Sequence, residues 1–477
     1  MKINNLNSLT KVFLMAAVLF ALPTSCSKHL DINDDPNNFA EVPSSAILTS
    51  SQVALAYNTG GSVQRMTAGV MQHYSGHRGQ PLDYDRYNFN PSDFDNIWST
   101  YYADVLADLQ AVITKETAAG NKKIVGAAKL LQAYTYSIMT DLFGSIPMSE
   151  ALKGSENLAP KYDTQEQVYN ACIALIDAGI QDLAATTGNA ILGDIIYAGS
   201  TTKWTKFGNS LKLRLLNHLE KRRPGAAKQF LDSNPSLITS NADDAKLTFG
   251  SIASNANPIY QFDVLSGRKD EAVSETIVNI MKASNDPRLT LYFAGIKNGA
   301  NKGSIVGKKP GLDDDDSGET LYSRVGSAYG SINSPVMLIT YSEVQFIIAE
   351  IQKRAGSDAL AKTAYDNAIT ADMTRLGVAT AAVTPYLTAN AYNNTLERVM
   401  TQKWIAMFHS SWESWADWRR TGFPALQAAS TNFNGNVIPR KMPLPQLEVN
   451  LNKTNVEAGP GLPILPATLK EKVWWDL

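Results

Sequence analysis

Apolar residues recur at steps of three and four along most of the chain, the spacing that places them on one face of an α-helix. The densest case runs from Leu396 to Gly422, where Trp404, Phe408, Trp412, Trp415 and Trp418 keep helical spacing. Large aromatics on more than one face need other helices around them, so this segment reads as one helix and as the central post of a helical protein. Asn394 with Glu397 supplies an N-terminal capping signal, and Arg419, Arg420 and Gly422 supply the cations and the glycine of a C-terminus.

The remaining periodic segments form pairs. Ile124, Ala128, Leu131, Thr135, Ile138 and Leu142 mark one face of a helix that Gly144 and Pro147 stop. Thr164 and Gln167 make a capping box for the next helix, through about Leu183. A stripe of Trp204, Phe207, Leu211, Leu215 and Leu219 follows Thr202 and ends at Arg222, Arg223, Pro224 and Gly225. Pro335 to Arg354 and Ser357 to Leu376 form another pair, in which Ala361, Ala364, Tyr365, Ala368 and Ile369 mix small and large residues. Small residues let helices approach closely, as in helical-hairpin repeats of about 34 residues. Strand alternation is scarce. The expected fold class is all-α, with helical hairpins, little sheet and long irregular excursions at 57–97, 239–270 and 296–335 that are rich in Gly, Asn, Asp, Ser and Tyr.

The N-terminus changes the picture of where the protein works. Lys2 and Lys11 precede the unbroken apolar run Val12 to Leu22, which has the length of a signal-peptide core and is too short to span a bilayer. Small residues lead to Cys26, as at a bacterial lipoprotein cleavage site, although Pro23 stands where that pattern wants Leu, Val or Ile. The expectation is a lipoprotein signal peptide at 1–25, an acylated Cys26 and a single domain over 26–477. Acyl chains contribute roughly 0.8 kcal/mol per buried methylene, so the protein would be anchored to a membrane without spanning it. With two cysteines in the chain and one lipidated, no intramolecular disulfide remains, and Cys172 falls in a helical core pattern where an inert thiol is expected.

Composition narrows the partners. The chain is 44% hydrophobic and 18% charged with a net charge of −2, so it lacks the basic surplus that nucleic-acid binding needs. Chemical motifs are few. His73 and His77 have the spacing of a metal pair, but the Glu of a metalloprotease motif is absent and Gly76 weakens a helix. Gly303, Gly307, Lys308 and Lys309 fall short of a phosphate-binding loop by one spacer and a missing Ser or Thr. Asp313, Asp314, Asp315 and Asp316 are weak candidates for calcium; a solvated acidic loop is the default, and no cofactor is expected. For an enzyme, Glu343 with Glu350 and Glu413 with Asp417 offer carboxylate pairs of the kind used in glycoside hydrolysis, yet each pair is explained equally by neutralising cations on nearby helices.

What is left is a binding surface. Residues 57–102 are crowded with aromatics, including Tyr57, Tyr87, Phe89 and Phe94, set among Asn, Asp, His77 and Arg78; Trp98, Tyr101 and Tyr102 fit helix core better. Flat rings beside planar polar groups suit sugars, which have an apolar C–H face and a hydroxyl rim, and they also suit peptides. The predicted ligand contacts are Tyr74, His77, Arg78, Tyr84, Tyr292, Tyr322 and Tyr329.

Seven ordered segments carry a resemblance: CSKHLDINDDPNN, DLFGSIPMSEA, WTKFGNSLKLRLL, ITYSEVQFIIAE, QKWIAMF with WESWADWRRTG, IPRKMPLPQLEVN and the terminal VWWD. Together they resemble the SusD/RagB family of outer-membrane nutrient-binding lipoproteins of Bacteroidetes, in its SusD-like subgroup, over the whole chain from Cys26 to Asp476. Lys441 and Met442 depart from the Arg and aromatic the family often has before Pro443. The resemblance implies tetratricopeptide-like hairpins carrying irregular loops, location on the outer-membrane exterior, and a SusC-like TonB-dependent transporter as partner. It implies capture of an oligosaccharide, or of a peptide, for delivery to that transporter; a carboxylate-dependent glycoside hydrolase is the remaining alternative. Asp141, Trp204, Asn209, Arg214, Glu343, Trp404 and Arg419 bear the motifs and are expected to be scaffold.

Overall fold

Among the described residues nine helices carry the scaffold: α1 Ser44–Asn58, α2 Ala107–Ala118, α3 Lys122–Phe143, α4 Gln165–Leu183, α5 Thr201–His218, α6 Tyr341–Arg354, α7 Asp358–Arg375, α8 Leu396–Ala406 and α9 Ser411–Thr421. Four of them, α4, α5, α6 and α8, begin at a capping Ser or Thr. The computed structural model describes residues 42–459 and 469–477, so the signal segment 1–25 and Cys26 lie outside the described residues. Ser44–Leu477 forms one compact unit. None of the described helices is long and apolar enough to cross a membrane.

The Thr164–Gln167 box closes α4 in both directions: Thr164 N donates to Gln167 Oε1 (2.8 Å) and Gln167 N to Thr164 Oγ1 (3.3 Å). Gly144 ends α3 at φ 82° and Gly422 ends α9 at φ 78°, conformations that a side chain would strain. Helices that follow one another pack as neighbours: α1 on α2, α2 on α3, α3 on α4, α4 on α5, and α6 on α7. Where α3 crosses α4, a Cβ on Gly126 would lie 2.6 Å from the Gly179 carbonyl, and one on Gly179 would lie 2.9 Å from the Gly126 carbonyl. The two glycines bring backbone against backbone, the close approach expected of a helical hairpin.

The aromatic segment is buried as expected, with Trp404, Phe408, Trp412, Trp415 and Trp418 all in the core. It is two helices, not one. Met407–His409 forms a tight 3₁₀ turn between α8 and α9. The Gln64 side chain fills this break, donating to Phe408 O (2.8 Å) and accepting from Ser411 N (2.9 Å), so a residue more than three hundred positions away replaces the missing helical bonds. Thr395, not Asn394, caps α8 by accepting from Arg398 N (3.1 Å). As a post, α9 touches α3 and α5 while α8 touches α6 and α7.

Strand is confined to three two-stranded antiparallel ladders among the described residues. These use β1 Tyr74–Gly76, β2 Ala245–Leu247, β3 Glu271–Val273, β4 Phe293–Ala294, β5 Arg324–Val325 and β6 Val336–Ile339. The helix expected from Pro335 therefore starts at Tyr341, because the apolar run of β6 pairs with β2, with Leu247 opposite Val336. The excursion expected at 57–97 also shrinks: α1 continues through a π-helical turn, Thr59–Val63, into a helix at Gln64–Val70. Gly60 makes this possible, since a Cβ there would collide with the Val336 side chain.

Candidate ligand-binding face

The ladders explain how three excursions far apart in sequence reach one place. β1, from the first excursion, pairs with β3, which closes the second. Val273 N then donates to Ser323 O (3.0 Å), tying β3 to the third excursion just ahead of β5. On the outer side of this knot, Arg78 Nε donates to Asp270 Oδ1 (2.7 Å), Arg268 Nε donates to Asp270 Oδ2 (3.0 Å), and Lys269 pairs with Glu319 (2.7 Å).

Phe262 is the flat element of this face. The Arg65 guanidinium sits 3.6 Å from its ring centroid and that of Arg268 5.2 Å away, both within cation–π range. Its neighbours Val264 and Leu265 are 50% and 47% exposed. Behind it, Glu271 is buried; burial lifts its carboxyl to about 7 against the opposing pull of Arg65, whose Nη1 lies 3.7 Å from Glu271 Oε1. Burial likewise raises Asp263, with Arg324 pulling the other way. Arg65 Nη1 and Asp263 Oδ1 are buried without a hydrogen-bond partner among the described residues. The Arg65 guanidinium covers one face of the Phe262 ring. Around it the exposed Val264 and Leu265 form an apolar patch with the part-exposed donors Arg78 and Arg268 at its rim, where a ligand's apolar face and hydroxyls can be met together.

The expected contacts divide. Tyr74, Tyr84, Tyr292 and Tyr329 are core residues, at most 5% exposed. Tyr292 stacks on Phe408 (5.0 Å between centroids) and donates to Asp372 Oδ2 (3.1 Å), while the Tyr329 hydroxyl accepts from Arg375 Nη2 (2.8 Å). These four rings offer no face to a ligand here; Tyr74, Tyr292 and Tyr329 pack on Phe408 and anchor the excursions to the α8–α9 turn, while Tyr84 stacks on Phe89. His77 is buried too. Its Nδ1 accepts from Asp316 N (3.0 Å) and its Nε2 donates to Lys269 O (2.6 Å), and burial with Arg324 nearby lowers its pKa, so it is a neutral loop clamp. Arg78 and Tyr322 keep accessible surface, and Arg78 belongs to the face around Phe262. Phe262, Arg65 and Arg268 were missed; the apolar cluster Phe262, Val264, Leu265 inside an otherwise polar stretch was the available signal.

The other candidates resolve as structure. His73 is buried, held by Ser411 Oγ (2.7 Å) and Trp404 O (3.0 Å), and burial lowers it to about 3, so it does not pair with His77 around a metal. The aspartates Asp313 to Asp316 face different partners. Asp316 ties its own loop, accepting from Thr320 N (2.7 Å), Leu321 N (3.0 Å) and Tyr322 N (3.0 Å); Asp313 meets Arg86 (3.2 Å), Asp314 meets Tyr322 and Lys308, and Asp315 meets Arg78 (3.9 Å). Cys172 is fully buried, which pushes its thiol up and leaves it inert.

The carboxylate pairs weighed for catalysis lie in a buried charge network beneath the post. Arg214 holds Glu343 bidentately (2.6 and 2.7 Å), and Glu413 receives His218 Nε2 (3.0 Å), Arg214 (3.6 Å) and Lys403 (3.6 Å). Asp417 pairs with Lys403 (2.7 Å) and Arg420, and Arg420 also grips Glu350. Burial disfavours charge on His218, but Glu413 and Asp141 outweigh it and lift the imidazole to about 9. His218, Glu413 and Asp417 have atoms close enough to share a metal, yet Arg214, Lys403 and Arg420 already supply the positive charge. Asp141 accepts from Trp475 Nε1 (3.0 Å) and Arg419 donates to Asp141 O (2.7 Å), so the motif residues are scaffold.

A helical-hairpin scaffold carrying irregular excursions, with its carboxylate pairs taken up in buried ion pairs, is the class these features define. The chain belongs to the SusD-like family: a family model described as starch-binding and associating with the outer membrane matches residues 36–445. Among solved structures, a SusD/RagB family protein from Bacteroides thetaiotaomicron is similar with 24% identity and a TM-score of 0.80, covering 91% of this chain and 99% of that one. A SusD homolog from Bacteroides fragilis has 25% identity and a TM-score of 0.76 over 91% of this chain and 99% of its own. A chitin-binding SusD homolog from Flavobacterium johnsoniae has 22% identity and a TM-score of 0.78 over 90% of this chain and 98% of its own. No curated protein matches the chain. The family binds nutrients and is not enzymatic, and this chain is not an enzyme.

Proposed function

We propose that the protein is a surface-exposed lipoprotein, acylated at Cys26, that captures oligosaccharides through the face around Phe262 and passes them to a SusC-like TonB-dependent transporter in the outer membrane. The observation that carries the reading is the convergence of the excursions on one surface where the half-buried Phe262 and the exposed Val264 and Leu265 lie beside Arg65, Arg78, Arg268 and Asp270. Family membership supports the nutrient and the outer membrane. Stacking one sugar face removes a few tens of square ångströms from water, roughly 1 kcal/mol at 25 cal/mol per Å². A few such contacts give affinities from about micromolar to millimolar, suited to capture and release. No cofactor enters this reading, so binding is expected to survive EDTA; a loss on chelation would reinstate calcium at Asp313 to Asp316.

The test is a binding panel on the chain from Ser27, which keeps the whole compact unit Ser44–Leu477. Starch-type and chitin-type oligosaccharides are titrated beside mixed peptides. Saturable binding of a glycan that weakens in Phe262→Ala supports the reading, whereas binding of peptides alone assigns the face to peptides. Delivery is read in cells, where removing the protein is expected to slow uptake of the bound oligosaccharide.

A further inference from the structure

A second cavity lies on the scaffold, among residues of α2, α3, α4 and the 148–153 connection, and no residue of the face around Phe262 lines it. Its volume is about 630 Å³, within the range of small-molecule sites. Two lining residues sit one helical turn apart on α3, and both are more than nine-tenths buried. Gln132 is 3% exposed; its Nε2 donates to Leu106 O and Gln110 Oε1 (3.3 Å each), while its Oε1 accepts nothing among the described residues. Tyr136 is 2% exposed, packs edge-on to Tyr102 (6.5 Å between centroids), and its hydroxyl meets no hydrogen-bond partner among the described residues. Neither atom is sealed off from the cavity, so a ligand hydroxyl that replaces water there can pair with each. Met148, Leu152, Val168 and Leu175 add apolar walls, and Leu152 is held there at φ 61°, a strained conformation for a residue with a side chain.

The chemistry of the lining selects the ligand. Asp163 also lines the cavity, but its oxygens already accept from Met148 N (2.8 Å), Ser149 N (2.7 Å) and Ser149 Oγ (2.7 Å), so a cation finds no free carboxylate. Lys153 is exposed to water and gives an anion only a solvated partner. The deep groups are neutral, one accepting and one able to donate or accept, between apolar walls. We propose that this cavity binds a small neutral polyhydroxy compound of about one sugar ring, independently of the loop face. One hydroxyl donates to Gln132 Oε1, a second exchanges a hydrogen bond with the Tyr136 hydroxyl, and the ring C–H face lies against Leu152 and Val168.

Calorimetric titration of the chain from Ser27 with glucose, N-acetylglucosamine and myo-inositol tests this. Millimolar or tighter binding of at least one probe is expected, weakened about tenfold in Tyr136→Phe, which removes only the hydroxyl. Ala171→Trp, at a half-buried lining position, should fill the cavity and abolish that binding, while Phe262→Ala should leave it unchanged. The proposal fails if no probe binds at millimolar concentration, if affinity is the same in Tyr136→Phe and Ala171→Trp, or if Phe262→Ala removes it. That last result places the sugar at the loop face alone; loss of oligosaccharide binding in Phe262→Ala with monosaccharide binding kept leaves both sites standing.

Discussion

Glu413→Gln removes one negative charge from the network under the post and keeps the side-chain shape. Arg214, His218, Lys403 and Arg420, with Arg354 at the edge, then face Glu343, Glu350, Asp417 and Asp141, five cations against four anions. Breaking a buried pair from one side costs about 3–5 kcal/mol, because the surviving charge stays buried. At roughly 2 cal/mol/K per residue, the unit Ser44–Leu477 melts with an entropy of about 0.9 kcal/mol/K, so Tm should fall by about 3–5 °C. The pH dependence separates charge from packing. His218 has a folded pKa of about 9 against an ordinary 6.5, so its contribution is fully present below 6.5 and is lost as pH rises through 9. That interval is worth roughly 3 kcal/mol, and Glu413 supplies its largest favourable share. The deficit of the variant should therefore be widest near pH 6 and narrow by pH 10. Scanning calorimetry of both proteins across that range measures it. A Tm change under about 1 °C, or a deficit that is flat with pH, refutes the network as the stabiliser of the post.

Gly126→Ala should lower stability by about 1–2 kcal/mol, since overpacking the α3–α4 crossing costs about 1–3 kcal/mol and outweighs the helix propensity gained; chemical denaturation checks it, and a stabilised variant would contradict the crossing. On the loop face, Phe262→Ala should weaken oligosaccharide binding about fivefold, the loss of one stacking contact, while Tyr292→Phe should leave affinity unchanged and reduce thermal stability, because its hydroxyl pairs with Asp372 in the core. Cys26→Ser should release the protein from the outer membrane into the soluble fraction, read by fractionating cells; retention would remove acylation as the anchor.

Much of the scaffold was legible because it is built from short-range rules. Thr164 and Gln167 bond to each other, Gly144 and Gly422 turn the chain locally, and the 3.6-residue repeat of α3 or α5 states which face is buried. Likewise the seven ordered segments carried the family, since residues such as Asp141, Arg214 and Arg419 hold the post together.

The site resisted for the opposite reason. Aromatic content told where rings are, not whether another chain segment covers them: Tyr292 and Tyr329 look like Phe262 in sequence, yet the α8–α9 turn buries the first two. The break at Met407–His409 depends on Gln64, and the start of α6 depends on β6 finding β2; both are long-range events that no local window contains. The sequence by itself therefore determined most of the helices, some of their ends and the kind of protein. Only the tertiary structure decided which rings stay in water, because burial is a property of what packs from elsewhere in the chain.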